Sequence, residues 1–382
     1  FGGLIQWNLR PGDRTSTLAT AGILLTLLPI VRHGRLAMLD GTQLSAMALL
    51  WLLMLMLKGN QFNEWKGIGL GLTSSMILLL KAPFIIPALL AGLIPSSLTG
   101  RIKYFWNFPL ITFLLIGLLP GVGWHLWHGL QRGEGALWLW GGDGALRVLF
   151  KAGEGSDLGW RVPLIEILEG GWPWLILWPF GLALAWKERQ TIWGKWALST
   201  QTILAITILP LKTQLPWYSH PLWLPFALIC GPIFAWLIQR ERNNAPVAAR
   251  IVALVPLLWT TLGCLLIVLG VVGFIWQGIG MRPYSNISTF CGLGWMLGGW
   301  QLSKPVKRVR FYGATSVIAG NIAALTILMG SSFWIWELNE SWPVKPVAEL
   351  AQKAKSTDIF IEGNIERPSL NWYAKERIRT LS

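Results

Sequence analysis

Arg32-His-Gly-Arg-Leu-Ala-Met-Leu-Asp40 stands between two long apolar runs. Its ionisable side chains (Arg32, Arg35 and Asp40) and a histidine crowd what reads as one membrane edge. A charge in or beside a hydrocarbon layer costs several kcal/mol unless it meets a partner or does work. Arginines present forked donors that match a phosphate. An aspartate can take up a proton or orient a hydroxyl. The runs on either side decide the fold. Of 382 residues, 53% are hydrophobic and 13% are charged, against about 25% charged in a soluble domain. Mean hydropathy is +0.50. This is the sequence of an all-α polytopic membrane protein.

A helix crosses the hydrocarbon layer in about 20 apolar residues. About eleven candidate spans follow, at 17–31, 42–57, 67–80, 83–98, 106–124, 163–186, 196–210, 219–238, 251–275, 285–301 and 311–335. Basic residues gather in alternate loops: Arg10 and Arg14; Lys58 and Lys66; Arg101 and Lys103; Lys187, Arg189 and Lys195; Arg240, Arg242 and Arg250; Lys304, Lys307, Arg308 and Arg310. With eleven spans these loops share one side, which the positive-inside rule assigns to the cytoplasm. The outer side then receives residues 32–40, Lys81, the long loop 125–162, the loops 211–218 and 276–284, and the C-terminal tail. Residues 67–98 are too long for one crossing at about 1.5 Å per residue. Pro83 lacks an amide hydrogen and breaks a helix locally, so this stretch reads as two spans with Lys81 at the outer turn. Residues 1–335 form the transmembrane domain, and 336–382 change character. An amphipathic helix is expected over 346–355, a strand over 358–362 and a second helix over 369–377, the start of a small extracytoplasmic α/β domain.

The net charge of +14 lies mainly in those short loops, so nucleic acid is not an expected partner. Phosphate-binding loops of the Walker type, GxGxxG on a strand, HExxH and GxSxG are all missing from the sequence. Cys230, Cys264 and Cys291 lie in apolar runs and build no disulfide framework. Basic charge on the outer side runs against the trend. Arg32, Arg35, Lys81 and Lys212 each sit at an outer edge. Any one of them fits a snorkelling side chain. Together they suit a lipid phosphate or diphosphate.

Asp40 opens a span, either as a helix cap or as an acid beside the arginines. Glu166 and Glu169 either line a cavity or mark a later helix start, and the second reading is favoured. His125 and His128, spaced i, i+3, share a helix face. They are too few for a closed zinc site, so a divalent metal would need a carboxylate from elsewhere. No other cofactor is implied. Most of the 26 tryptophans fit an interfacial aromatic belt. Trp124, Trp127, Trp138, Trp140, Trp160, Trp172 and Trp174 cluster in or near the long outer loop, where a minority have faces suited to sugar rings.

Three motifs carry a family likeness: Arg35-Leu-Ala-Met-Leu-Asp40, Leu80-Lys-Ala-Pro83 and Leu211-Lys-Thr-Gln-Leu-Pro-Trp-Tyr-Ser-His-Pro221. In that order, between spans, they resemble the integral-membrane glycosyltransferases of family 39, a group that includes protein O-mannosyltransferases and the lipid A aminoarabinose transferase. The likeness covers roughly residues 1–335, and the tail is similar to the start of the family's periplasmic domain. It implies a GT-C-type multi-span helical bundle in a bacterial cytoplasmic membrane with its active site facing the exterior. It implies transfer of a sugar, with inversion, from a polyprenyl phosphate donor to a glycan, lipid or protein acceptor. On this resemblance Asp40 is a supporting acid, and Arg32 or Arg35, Lys81 and Lys212 lie near the donor phosphate. Tyr218 and His220 fall on the family's polar turn before a span. The family's principal acid lies in the first outer loop, which would precede Phe1, so an N-terminally truncated chain is expected.

The residues agree on chemistry. A polyprenyl phosphate leaves readily only when its charge is neutralised, and a carboxylate must activate the acceptor hydroxyl. An O-antigen ligase or polymerase type of enzyme, with many spans and one long outer loop, is the first alternative. A lipid-linked-sugar transporter or flippase is the second, and it calls for internal repeats and midplane acids.

Overall fold

The computed structural model describes residues 1–35, 39–57, 64–133, 135, 161–212, 214–240, 246–276, 282–331, 344–354, 359–362 and 368–381. Most of the expected outer loop, including Trp138, Trp140 and Trp160, lies outside the described residues, as does the side chain of Arg35. Two compact units divide the chain, Phe1–Thr326 and Ile327–Ser382.

The first unit is helical. In chain order it contains α1 (Gly2–Leu9), α2 (Arg14–Thr26), α3 (Leu28–Arg35), α4 (Leu39–Met56), α5 (Glu64–Lys81), α6 (Ile85–Leu98) and α7 (Phe108–Arg132). Beyond the loop come α8 (Arg161–Gly170), α9 (Trp178–Lys187), α10 (Ile192–Ile208) and α11 (Trp223–Gln239). The short α12 (Ala249–Val252) leads into α13 (Val255–Ile275), α14 (Arg282–Leu302) and α15 (Lys307–Gly330).

Six described helical runs are long and apolar enough to cross a membrane, or eight if each of two bent pairs is one span. One of the six is Glu64–Leu98, counted whole. Lys81 leaves helical geometry within it (φ −160°, ψ 83°). The two halves then run in opposite senses along α4. On α5, Lys66 reaches the carbonyl of Met56 and Lys81 reaches Asp40. On α6, the Ala88 carbonyl accepts from Trp51, and Arg101, just past its end, donates to the Leu55 carbonyl. That is a hairpin with Lys81 at its turn.

The expected spans at 196–210 and 285–301 correspond to α10 and α14, which lie outside the six. α10 has 17 residues, about 25 Å and short of the roughly 30 Å core. α14 is long enough, but Ser, Asn, Thr, Gly and Gln dilute its apolar content. Two expected spans are not straight. Arg14–Thr26 and Leu28–Gly34 meet at 57°, and Arg161–Gly170 and Trp174–Lys187 at 103°.

α11 is the central helix. Every residue from Trp223 to Ile238 is buried, so it has no lipid-facing side and reads as apolar all round. It packs against α1, α2, α9 and α10. Trp174, Phe234 and Trp259 meet edge to face beside it. Glycine sets the closest approach elsewhere. A Cβ on Gly71 would collide with the Leu114 carbonyl oxygen, so α5 and α7 approach this closely only because that side chain is missing.

The basic residues have structural partners at one end of this unit. Arg101 donates to Leu55 at the C-terminus of α4. Lys195 donates to Leu98 at the C-terminus of α6. Arg310, 6% exposed, donates to the carbonyls of Ile238, Gln239, Lys304 and Pro305. Cations at helix C-termini satisfy orphan carbonyls and oppose the negative end of the dipole. Arg10 joins Glu188 at 2.7 Å and lies over the Trp193 ring. One end of α11 is thereby pinned, and the other carries the residues described below.

The second unit contains α16 (Val344–Lys353), β1 (Phe360–Glu362), α17 (Pro368–Ala374) and β2 (Arg379–Leu381). Its strands are parallel, with Phe360 opposite Arg379. Val344, Ala348, Leu370, Ala374 and Ile378 form its core. The second helix ends three residues earlier than the expected 377, and β2 completes a sheet pair that periodicity did not indicate.

Candidate functional site

Four segments converge at the end of the first unit opposite Arg10, Arg101 and Arg310. These are the end of α3, the start of α4, the end of α5 and the 3-10 turn Pro216–Leu222 that leads into α11. The turn packs on α3, α4, α8 and α10. Gly34 and Gly41 let α3 and α4 close on each other, since a Cβ on Gly41 would lie 3.1 Å from the Gly34 Cα. Asp40 is therefore held in the first turn of α4 beside α3.

The Lys81 ammonium lies 3.2 Å from Asp40 Oδ1, with side-chain exposures of 35% and 13%. The same ammonium sits 4.2 Å from the centre of the Tyr218 ring. Lys81 therefore touches an acid and an aromatic face, and part of it still reaches the exterior. The break at Lys81 explains why. A helix that continued through Pro83 would lose its hydrogen bonds there, so the chain turns and leaves the ammonium at the rim. Asp40 also lies within electrostatic reach of the Tyr218 hydroxyl.

Behind this trio, Arg32 is half-buried and within electrostatic reach of Glu166. His33 is fully buried, with its ring centre 5.1 Å from His220 and 6.3 Å from Trp217. Gln214 donates to the carbonyls of Ile208, Leu209 and Leu211 and so anchors the strap ahead of the turn. The structure thus brings Arg32, Asp40, Lys81, Tyr218 and His220 to one end of the bundle. Lys212 is exposed, and among the described residues no acid pairs with it. For Arg35 only the backbone is described, at the end of α3.

Residues beyond the sequence candidates also meet here. His33 has no charge of its own, so it gave no cost signal at a membrane edge. Glu166 was read as marking a late helix start. The helix instead starts earlier, at Arg161, with Glu166 inside α8, and the 103° bend that follows leaves Glu166, 8% exposed, on a helix packed against α3. Trp217 was one tryptophan among many. His125 lies instead at α5, 3.2 Å from the Leu78 carbonyl, and His128 stacks on Trp124. Among the described residues, no group of three or more His, Cys, Asp or Glu is placed to hold a metal ion.

No family profile and no curated protein matches the sequence. Solved structures do match the fold. ArnT from Cupriavidus metallidurans bound to undecaprenyl phosphate superposes with a TM-score of 0.65 at 14% identity, over 99% of this chain and 69% of that one. The apo state of the same protein gives 0.62 at 14% identity, over 99% and 68%. The chain is a multi-pass membrane protein with a GT-C-type helical fold.

Proposed function

We propose that this chain transfers a sugar from a polyprenyl phosphate donor to an acceptor on the outer side of a cytoplasmic membrane. The observation that carries the reading is the Asp40–Lys81–Tyr218 constellation, set at the end of the bundle away from the arginine-capped helix termini. By the positive-inside rule the arginine-capped end faces the cytoplasm, so the constellation faces out. About eleven crossings satisfy that alternation. ArnT, whose fold this chain shares, was crystallised with undecaprenyl phosphate, and the ligand's phosphate suits a rim ammonium.

The chemistry follows from the side chains. Lys81, with Arg32 behind it, neutralises the donor phosphate. The bond between the sugar's anomeric carbon and the phosphate oxygen breaks, and polyprenyl phosphate leaves with the electron pair. The acceptor oxygen bonds to the anomeric carbon, and its proton passes to a carboxylate, with Asp40 as the supporting acid. Charge stabilisation in a site sheltered from water is worth more than the same contact in bulk. The lipid tail provides anchorage, so no nucleotide site is needed.

Membranes containing the protein should consume one labelled polyprenyl phosphate sugar from a panel offered singly, releasing polyprenyl phosphate and a glycosylated product. Donor that crosses the bilayer intact, with no product, would favour a flippase and refute the transferase reading.

A further inference from the structure

Thirteen buried side-chain polar atoms have no hydrogen-bond partner among the described residues. Six of the thirteen lie on His33 and the segment 214–223: both ring nitrogens of His33, both of His220, Oε1 of Gln214 and Nε1 of Trp223. All four residues are at most 1% exposed. Four of the six are the nitrogens of two imidazoles whose ring centres lie 5.1 Å apart, and a buried polar group left unpaired is costly, so the pair calls for a partner.

The chemistry of the orphans identifies its class. An uncharged imidazole offers one donor and one acceptor, an indole only a donor, and an amide oxygen only an acceptor. The Gln214 amide nitrogen is already committed to three carbonyls, which leaves its oxygen in need of a donor. A phosphodiester supplies acceptors and no donors, so it leaves the acceptor nitrogen of each imidazole unpaired. Hydroxyl groups supply both. The Trp217 ring, 6.3 Å from His33, adds a flat apolar face of the kind that stacks on the C–H side of a sugar.

Position agrees with chemistry. Trp217 and His220 flank Tyr218, over which Lys81 sits. A sugar joined to a phosphate held at Lys81 lies beside that turn. We propose that His33, His220 and Trp217 form a subsite for the sugar ring of the lipid-linked donor. This rests on the transferase reading above and adds the residues that recognise the sugar. In this structure the pair is covered, and α8 packs on both α3 and the turn.

The test measures the affinity of purified protein in nanodiscs for two kinds of probe. One is bare undecaprenyl phosphate. The other is undecaprenyl phosphate carrying glucose, mannose, galactose or arabinose. The wild-type protein should bind at least one sugar-bearing lipid about tenfold or more tighter than the bare lipid, a gain on the scale of one or two net hydrogen bonds. His33→Leu and His220→Leu should shrink that advantage to about twofold and leave bare-lipid affinity unchanged. Should a leucine variant lose bare-lipid binding as well, His220→Gln decides, because it keeps a donor and an acceptor. Restoration of the sugar advantage in that variant supports the subsite, and no restoration overturns it. No sugar advantage in the wild type, or an advantage that survives both leucine variants, also overturns it. A wild-type protein that binds neither kind of lipid removes the transferase reading itself.

Discussion

Asp40→Asn is expected to lower turnover about a hundredfold or more while the protein still folds and still binds donor lipid. The size follows from the role. A positioned acid or base contributes about 10²–10⁴ to a rate, and an amide can neither carry the negative charge nor share in the proton transfer that a supporting acid assists. The substitution separates that role from helix capping, which asparagine performs as well as aspartate. It also removes one partner of the 3.2 Å ion pair with Lys81. An exposed pair of this kind contributes about 0–1 kcal/mol and a fully buried one several. This pair is intermediate, so thermal unfolding should shift only modestly. Turnover and unfolding temperature measured on the same preparation decide the matter. Wild-type turnover in Asp40→Asn would return Asp40 to a structural role.

Lys81→Ala is expected to raise the donor concentration needed for half-maximal rate by about tenfold or more. A charge-assisted hydrogen bond contributes about 1.5–3 kcal/mol, and Lys81 is the cation best placed to make one, being partly exposed at the rim. Lys81→Arg should retain more activity than Lys81→Ala. Charge survives in it, although a planar fork replaces a point charge and the contact with Tyr218 must rearrange. The contrast between these two variants separates phosphate binding from snorkelling. A side chain that merely reached for headgroups would leave the dependence on donor concentration unchanged in both.

The sequence showed where charge was costly, and so it showed Arg32, Asp40 and Lys81. Pro83 beside Lys81 was enough to break 67–98 into a hairpin, because a missing amide hydrogen is a local fact. Tyr218 and His220 came from the likeness of their motif to a family and not from any cost signal. What the sequence hid was long-range or uncharged. Nothing in Leu-Ile-Glu-Ile-Leu-Glu-Gly-Gly states that a 103° bend brings Glu166 to α3. Periodicity describes a helix and not the angle at which it meets the next. His33 stood within the most informative stretch, yet its meaning depends on His220, 187 positions further along, and on a burial that only the packed bundle creates. Lys212 stands apart from the others in its surroundings. It shared a predicted depth with Lys81, but it lies on an exposed strap with no acid paired to it among the described residues. The close approach of Gly71 to Leu114 was equally hidden, because scattered glycines do not name their partners.

Central to this account is a lipid phosphate held at the Lys81 end of the bundle. The direct measurement is photo-crosslinking of purified protein with a polyprenyl phosphate that carries a photoreactive group beside the phosphate, followed by peptide mapping. Adducts are expected on peptides containing Lys81 and Pro216–Leu222, suppressed by excess undecaprenyl phosphate and reduced in Lys81→Ala. Adducts concentrated instead around Arg10, Arg101 or Arg310, or an adduct pattern at Lys81 that excess undecaprenyl phosphate does not suppress, would contradict it.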